Sequence, residues 1–392
     1  MNPLPITAST IVSAMGRGMS ETLVALQARR TGLRPCDFGQ TTSGHIGRVD
    51  GLEDYRLPDP LRRFDCRNNR LADVALRTDG FAEAVDSARV RYGAERIAVV
   101  LGTSTSGVLS CENAYAQRDD NGALPDDFDY EHTHDISSLA RFVRTALELR
   151  GPALVVSTAC ASSSKSLIDA YHLIASGICD AAIVGGADSL CGMTLQGFAA
   201  LDLISSTPCN PCDERRGGIS IGEAAGFALL ERSSHGEASF SLLGYGATSD
   251  GYHMSSPHPG GAGAIGAMRE ALTSAGLTPD GIDYINLHGT GTRANDAMED
   301  VAVAEVFGTY TPCSSTKGWS GHALGASGIL ELAIARLCIE NGFVPGCLAV
   351  TNVDPSFRSQ VLTENSERPV RRVMSNSFGF GGINCSLIVG TA

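Results

Sequence analysis

Short apolar runs alternate along the chain with segments of helical character, and this pattern predicts the elements of the fold. Runs of mainly apolar residues predict strands at Arg96–Leu101, Leu154–Val156, Ala181–Gly186, Ala224–Leu230, Phe240–Tyr245, Ile282–Leu287 and Cys385–Val389. Helical patterns fall at Ser162–Ser176, Ala264–Ala275, Asp296–Phe307 and Ala326–Glu340. The alternation begins again at Gly263. Two successive sets of this kind predict an α/β fold whose sheets are mainly parallel and covered by helices.

The segment from Leu154 to Gly177 is the most informative of these. Leu154–Val156 predicts a buried strand, small residues and Cys160 follow, and a helix with few charges then ends at Gly177. This layout places the Cys160 thiol at a helix N-terminus, where free N–H groups and the helix dipole are expected to lower its pKa. Taken alone, Cys160 fits a core cysteine packed as a small hydrophobe better, and only the later segments of the chain favour a reactive thiol.

Composition excludes several classes of protein. The 392 residues are 43% hydrophobic and 19% charged, with 45 glycines, which is typical of a compact chain of two or three domains. A net charge of −13 argues against general binding to nucleic acid or anionic lipid. No apolar run reaches the roughly 20 residues that a membrane helix needs. Twelve cysteines without a framework spacing, and no leader pattern in Met1–Gly16, predict a reducing cytoplasm.

Three later segments carry polar groups at predicted loop tips. His288 directly follows a strand and precedes a glycine, a position that also suits a structural or surface histidine. His322 lies in a glycine-rich turn just before a helix that is apolar on nearly all sides. Glu331 on that helix is either half-exposed or buried against Lys317, a histidine or a cation. The glycines around Phe380 leave backbone N–H groups free for an oxyanion, although a tight turn explains them equally well.

The four segments together resemble the β-ketoacyl synthase family of thiolase-like condensing enzymes. TACASS, HGTGT, TKGWSGHALGASG and NSFGFGGIN fit that family's motifs in order and at comparable separations, across nearly the whole chain. The set Cys160, His288 and His322 looks like that of the elongating enzymes. The resemblance implies a thiolase fold, with two similar halves over residues 1–240 and 241–392. It implies five layers, α-β-α-β-α, and an intimate dimer.

The resemblance also implies an activity, the decarboxylative condensation of malonyl-acyl carrier protein with an acyl group held on Cys160. His288 and His322 are then donors to the malonyl thioester, and the N–H groups of Cys160 and Phe380 form the oxyanion hole. Lys317 is expected to orient this network, with Glu331 behind it. Further residues are assigned to the pantetheine arm, the gating loop and the acyl pocket: Thr290, Thr292, Phe378, Phe380 and Phe198.

Partners follow from the same resemblance. Arg67 and Arg70, beside Arg62 and Arg63, match positions that dock the acidic carrier protein. No resident cofactor is expected, because phosphopantetheine arrives on the carrier protein. A weak set of cation ligands is formed by Asn286, Glu331, Ser375 and Asn376. The active subunit is expected as a homodimer or as a heterodimer with a non-catalytic chain-length partner. The intact Cys160 argues against this chain being that partner.

Two departures from the family's pattern leave the pathway open. Ser206–Gly218 is shorter than in typical members, so the choice of carrier protein is uncertain, and its Cys209 and Cys212 lack a second pair for zinc. Thr103–Ser106 is polar where fatty-acid enzymes usually have glycine and aliphatic residues. Fatty acid elongation and a specialised polyene or pigment pathway are both compatible with the chain. A thiolase acting on coenzyme A esters is disfavoured, because the second catalytic cysteine is missing.

Overall fold

A computed structural model describes residues 1–39, 44–233 and 240–391. The strands are β1 Leu4–Ser13, β2 Gly16–Arg17, β3 Leu33–Pro35, β4 His45–Gly47, β5 Ile97–Gly102, β6 Ala153–Val156, β7 Ala181–Asp188, β8 Ile221–Gly222, β9 Ala224–Glu231, β10 Ser241–Ser249, β11 Tyr284–Asn286, β12 Pro312–Ser314, β13 Phe343–Val344, β14 Gln360–Val361, β15 Ser366–Glu367, β16 Arg372–Gly379 and β17 Ile383–Gly390. The helices are α1 Gly18–Gln27, α2 Arg67–Leu76, α3 Phe81–Tyr92, α4 Val108–Ala116, α5 Ser138–Ala146, α6 Ser162–Ala175, α7 Gly192–Ala200, α8 Ala262–Ala275, α9 Arg293–Phe307, α10 Lys317–Ser320 and α11 Ser327–Asn341.

Two sets of strands repeat one topology. The first set runs in the order β6-β5-β7-β9-β1, and the second runs in the order β12-β11-β16-β17-β10. In each set the first three strands are parallel and the next two pair antiparallel. Strands β1 and β10 pair at Leu4 and Leu242, which joins the two sets. The sheets are therefore mixed rather than mainly parallel, because the fourth strand of each set, β9 or β17, runs opposite to both of its neighbours.

Both sheets are buried on both faces, which gives five layers. On one face of the first sheet, Val100 and Val184 belong to the central core with α6 and α11, and Val373 and Leu387 of the second sheet belong to the same core. The other face of the first sheet packs against α2, α3 and α5. The other face of the second sheet packs against α8 and α9. The order α-β-α-β-α of the predicted thiolase fold is confirmed.

Helix α6 and strand β6 test the local predictions. Helix α6 covers Ser162–Ala175 and ends before Gly177, whose φ of +75° is one that glycine adopts readily. Strand β6 forms as predicted, but it lies at the edge of the first sheet and Leu154 is 46% exposed. The prediction of a buried strand is wrong, because an apolar run does not show which strand ends a sheet.

The remaining sequence predictions concern domains and membranes. The division between residues 240 and 241 stays a prediction; residues 234–239 and Ala392 lie outside the described residues. Strand β10, which begins at Ser241, is the strand of the second set that comes first along the chain. Within the described part of the chain, no helix has the length and apolar character needed to cross a membrane.

Candidate active site

Cys160 lies between the end of β6 and the start of α6, and its side chain is buried. The turn that carries it is tight, because Ala159 has a positive φ of 49° and the Ser162 hydroxyl accepts a hydrogen bond from the Thr158 N–H at 2.9 Å. Helix α6 also passes very close to β5. A Cβ at Gly102 would lie 2.4 Å from the Ser163 nitrogen, so only glycine permits this approach. The small residues of the segment thus place the thiol at the centre of the molecule.

His322 faces the thiol from the second half of the chain. Its Nε2 lies 3.0 Å from Cys160 Sγ, and its Nδ1 lies 2.9 Å from the Ser327 hydroxyl. Burial, reinforced by the positive charge of Lys317, holds the pKa of this imidazole well below its usual value. A neutral ring next to a thiol can accept its proton. The structure thus brings together two residues that are 162 positions apart.

His288 completes the group at the end of β11. Its ring centroid lies 5.3 Å from that of His322, and one reactive atom from each of Cys160, His288 and His322 lies within 4.8 Å of the other two. Burial lowers the pKa of His288 well below its usual value, and the charges of Lys317 and His322 act in the same direction. The Cys160 thiol therefore lies close to two neutral imidazoles.

Glu299 on α9 positions His288 and was not identified from the sequence. Its carboxylate accepts hydrogen bonds from the N–H groups of His288 at 2.8 Å and Gly289 at 2.7 Å. Burial raises the pKa of Glu299 to about 7. No signal in the sequence set Glu299 apart, because Asp296 and Asp300 on the same predicted helix are acidic too.

Lys317 and Glu331 form a buried ion pair next to the histidines. Lys317 Nζ lies 2.5 Å from Glu331 Oε1, and both residues are 2% exposed. Of the three partners that the sequence left open for Glu331, the structure shows Lys317, and the half-exposed alternative is wrong. Burial raises the pKa of Glu331 to about 7, against the opposing effect of Lys317. A charge pair of this kind fixes the electrostatic potential around the thiol.

The expected lowering of the Cys160 pKa is not found. Burial raises the pKa of this thiol to about 11, although Lys317 and the N–H of Phe380 oppose that rise. The helix-start position was correctly predicted, but desolvation outweighs it, and sequence alone does not show the depth of burial. At neutral pH the group rests as a thiol. Its activation therefore needs a base, and His322 is within hydrogen-bonding distance.

This arrangement predicts an unusual pH profile for alkylation of Cys160 by iodoacetamide. In the unsubstituted protein we expect a nearly constant rate between pH 7 and 9, because the neutral imidazole of His322 already accepts the proton. In His322→Ala the free thiolate alone reacts, so the rate should rise about tenfold per pH unit below the thiol pKa of about 11. Peptide mass spectrometry of Cys160 measures both rates. Identical profiles for the two proteins would contradict the role of His322 as base.

The glycine-rich loop after β16 supplies a donor to the thiol. The backbone N–H of Phe380 is close enough to the Cys160 thiol to oppose the rise in its pKa, and a Cβ at Gly379 would lie 2.9 Å from the Thr158 carbonyl oxygen. The oxyanion hole formed by Cys160 and Phe380 stays a prediction. The Phe380 ring is 36% exposed and lies 5.6 Å from the ring of Phe198. Phe378 is buried, with its ring 6.1 Å from that of His288.

A cavity of about 480 Å³ leads to the thiol. The residues predicted for the pantetheine arm, the gating loop and the acyl pocket all line it: Thr290, Thr292, Phe198, Phe378 and Phe380. Thr290 and Thr292 place their hydroxyl groups 3.0 Å apart on the wall. Leu201, Leu203 and Ile219 add apolar surface that the sequence did not identify. The cavity thus combines an apolar wall with a few polar groups, which is typical of small-molecule sites.

The predicted docking residues need correction. Arg67 is 7% exposed and is bound by Glu223, through Nε at 2.9 Å and Nη2 at 2.6 Å, and by Glu53 at 2.6 Å. A guanidinium held in this way cannot reach a partner protein. Arg70 is half-buried and bonded through two nitrogens to Asp65. The sequence showed the positive charges of this segment but not the acidic residues that the fold places against them.

Arg67 is therefore expected to stabilise the fold. Arg67→Ala should lower the free energy of unfolding by about 3–5 kcal/mol, because it leaves the Glu223 carboxylate buried without its cation. Arg62→Ala is the control, since Arg62 is exposed and its removal should change stability by less than about 0.5 kcal/mol. Urea unfolding of the two variants measures both values. Equal stability of Arg67→Ala and the unsubstituted protein would show that the pair is not structural.

Two metal predictions can be compared with the geometry. Oxygen atoms of Asn286, Glu331 and Ser375 are buried without a hydrogen-bond partner among the described residues, which fits a cation that takes oxygen ligands. Asn376 instead accepts a hydrogen bond from Ser386 at 2.8 Å. In the part of the chain that the structure describes, Cys209 and Cys212 belong to no group of three potential metal ligands.

A buried thiol paired with an imidazole, at the end of a cavity between two like halves, defines a thiol acyltransferase. The family model described as "Beta-ketoacyl synthase, N-terminal domain" matches residues 68–236, and the corresponding C-terminal model matches residues 240–351. The chain belongs to the β-ketoacyl synthase family, as its motifs predicted.

Individual relatives agree along the full length. The chain is 30% identical over 410 aligned residues to 3-oxoacyl-[acyl-carrier-protein] synthase 2 of Coxiella burnetii, covering 98% of this chain and 97% of that relative. A chain of the complex between the ketosynthase ApeO and its chain length factor ApeC from Xenorhabdus doucetiae is 40% identical, with a TM-score of 0.91 and coverage of 100% and 98%. A chain of the ishigamide ketosynthase/chain length factor is 27% identical, with a TM-score of 0.89 and coverage of 100% and 99%.

Proposed function

We propose that this chain joins a malonyl unit to an acyl group held as a thioester on Cys160, with carrier proteins delivering both. One observation carries the proposal: the Cys160 thiol, at the inner end of the cavity, lies 3.0 Å from His322 and beside a second neutral imidazole. The name of the relative from Coxiella burnetii supports acyl carrier protein as the partner.

In the first step the acyl group moves to Cys160. His322 Nε2 takes the thiol proton while sulfur attacks the thioester carbonyl carbon of the incoming acyl chain. The N–H groups of Cys160 and Phe380 donate to the oxygen that becomes negative. The carbon–sulfur bond to the pantetheine arm then breaks, and the departing sulfur takes the proton back from His322. Atoms and charge balance without a further reactant.

In the second step malonyl thioester enters the same cavity. The bond between its α-carbon and its carboxylate breaks, carbon dioxide leaves, and the electron pair forms an enolate. His288 and His322 donate hydrogen bonds to the enolate oxygen, as neutral rings can. Once Cys160 is acylated, His322 donates from the tautomer with its proton on Nε2, and the Ser327 hydroxyl then donates to Nδ1. The α-carbon then attacks the acyl carbonyl on Cys160. The carbon–sulfur bond to Cys160 then breaks, and the departing sulfur takes up a proton from solvent to restore the thiol, since loss of carbon dioxide from a carboxylate consumes one proton per turnover. The product is two carbons longer.

Lys317 and Glu331 act on this chemistry through charge. The ammonium of Lys317 lowers the pKa of both imidazoles and opposes the rise in the thiol pKa. It therefore favours the thiolate during transfer and keeps the rings neutral between turnovers. Glu331 balances the ammonium within the core. A cation at the free oxygens of Asn286, Glu331 and Ser375 would add positive charge on the far side of that carboxylate from the ammonium.

Association with a chain-length partner is proposed from the sheet edge and the relatives. Strand β6 ends the first sheet and leaves Leu154 exposed, so the edge offers backbone groups and apolar surface to a second subunit. Both structural relatives are described as ketosynthases with a chain length factor. Arg62 and Arg63 remain exposed in the segment proposed for docking. They are the cations there that an acidic carrier protein can reach.

Mass spectrometry of the acyl group trapped on Cys160 in cells tests the pathway. A polyunsaturated acyl group would support the polyene alternative, whereas saturated chains would support fatty acid elongation. Purification of the endogenous complex in the same experiment distinguishes a homodimer from a heterodimer. Absence of any covalent acyl group on Cys160 during turnover would refute the proposed reaction itself.

A further inference from the structure

Asp188, the last residue of β7, is a buried carboxylate that the proposed reaction does not use. It is 1% exposed and accepts hydrogen bonds from six donors. Its Oδ1 receives the Thr103 hydroxyl at 2.7 Å, the Ser104 N–H at 2.8 Å, and the N–H and hydroxyl of Thr105, each at 2.9 Å. Its Oδ2 receives the Ser104 hydroxyl and the Gly325 N–H, the latter at 2.6 Å.

This arrangement explains why most of Thr103–Ser106 is polar, a departure from fatty-acid enzymes that the sequence associated with a specialised pathway. The hydroxyl groups of Thr103, Ser104 and Thr105 all point to Asp188, and none of these residues lines the cavity. Thr103 and Thr105 are themselves buried. Thr103, Ser104 and Thr105 are therefore polar because they surround a carboxylate.

The sixth donor links Asp188 to the base. Gly325 follows His322 by three residues, in a turn where Leu324 has a positive φ of 50°. A Cβ at Gly325 would lie 2.8 Å from Asp188 Oδ2 and 3.3 Å from Ser162 Cβ. The turn is thus packed between Asp188 and the first residue of α6, the helix that begins beside Cys160.

We propose that Asp188 is a positioning residue, which holds the His322 turn against the start of α6 and so fixes the imidazole at hydrogen-bonding distance from the Cys160 thiol. The inference rests on the proposed role of His322 as the base. It adds a residue that touches neither substrate nor thiol, and it assigns the hydroxyl-rich loop after β5 to the same task.

The direction in which Asp188→Asn changes the alkylation rate separates a positioning role from an effect of charge. The negative charge of Asp188 raises the pKa of Cys160. If charge were its only effect on the site, Asp188→Asn would ease loss of the thiol proton and speed alkylation. Positioning predicts the opposite, because an amide offers one acceptor oxygen instead of two and sets an N–H₂ donor against the remaining N–H groups. The direction of the change therefore separates the two explanations.

The test is the rate of Cys160 alkylation by iodoacetamide in Asp188→Asn, followed by peptide mass spectrometry. We expect a fall of about tenfold at pH 7.5, with a pH profile that approaches the steep one of His322→Ala. Asp180→Asn is the matched control, since Asp180 precedes the same strand at its other end and pairs with Arg96. The control should keep the rate and profile of the unsubstituted protein. A folded Asp188→Asn protein that reacts at or above the original rate would overturn the proposal.

A second pair of variants covers the case in which Asp188→Asn does not fold. Thr105→Val removes one donor to Asp188 at nearly constant volume, whereas Thr105→Ser keeps the hydroxyl. We expect alkylation to slow about threefold or more in the valine variant and to recover in the serine variant. Equal rates in both would overturn the proposal.

His322→Ala, measured alongside, separates this inference from the proposed function. If His322→Ala is slow while Asp188→Asn keeps the original rate, only the positioning role fails. If His322→Ala itself reacts at the original rate and profile, the base assignment fails, and the inference that rests on it fails too.

Discussion

Cys160→Ala protein should lose condensation by about 10⁴-fold or more, since Cys160 is the one cysteine among the described residues that line the cavity, and its thiol carries the acyl chain between the two steps. The thiol lies at the inner end of the cavity and within reach of both histidines, and the change removes one small side chain from an otherwise unaltered core. Incubation with acyl and malonyl carrier proteins, with mass spectrometry of the β-ketoacyl product, measures the loss. Cys111→Ala is the control, because Cys111 lies on α4 and does not line the cavity.

A second substitution at the same position separates the two steps. Cys160→Gln cannot be acylated, but its amide takes the place of the acyl thioester while His288 and His322 remain. Malonyl decarboxylation without condensation is therefore expected, and released carbon dioxide measures it. If Cys160→Ala still joined acyl and malonyl groups at the full rate, the covalent mechanism would be wrong.

The second large effect concerns His288 and His322, which differ in their distance from the thiol and are therefore expected to act in different steps. Only His322 is hydrogen-bonded to the thiol, so His322→Ala should slow both acylation of Cys160 and malonyl decarboxylation by about 10²-fold or more. His288→Ala should slow decarboxylation to a similar degree but leave acylation within about threefold, because its ring serves the enolate oxygen alone. Rapid-quench measurement of acyl-enzyme formation, beside the carbon dioxide assay, resolves the two steps.

His253→Ala is the control for this pair, since His253 lines the same cavity and does not belong to the group around the thiol. It should leave acyl-enzyme formation unchanged. Equal loss of acylation in His288→Ala and His322→Ala would mean that the base is shared. The assignment of distinct roles would then fail.

The motifs and the helix boundaries could be predicted because they depend on local sequence. Helix α6 was found to within one residue, since a few charges, small residues and a terminal glycine determine it within a single segment. The family followed from four short motifs. The burial of Glu331 followed from its apolar neighbours along one helix, whereas Glu299 lies between Asp296 and Asp300 and only the fold shows that it is buried.

Other properties depended on contacts between distant segments. Arg67 was taken for a surface cation because its partner Glu223 lies 156 residues further along the chain. The polar loop after β5 was taken as a sign of a specialised pathway because its partner Asp188 lies over 80 positions away. Leu154 was taken as buried because strand order in a sheet does not follow from an apolar run. In each case the prediction failed because the sequence does not show which distant residues pack against the segment.

The sequence by itself determined the family, the α/β class, the nucleophilic cysteine and the two histidines, because short motifs and hydrophobic periodicity are local properties. Only the tertiary structure decided how reactive these groups are and which of them touch. Packing between the two halves buries Cys160, raises its pKa to about 11 and places a neutral imidazole 3.0 Å away. Desolvation and distance are set by the surroundings of a side chain in space, and most of those surroundings come from remote parts of the chain.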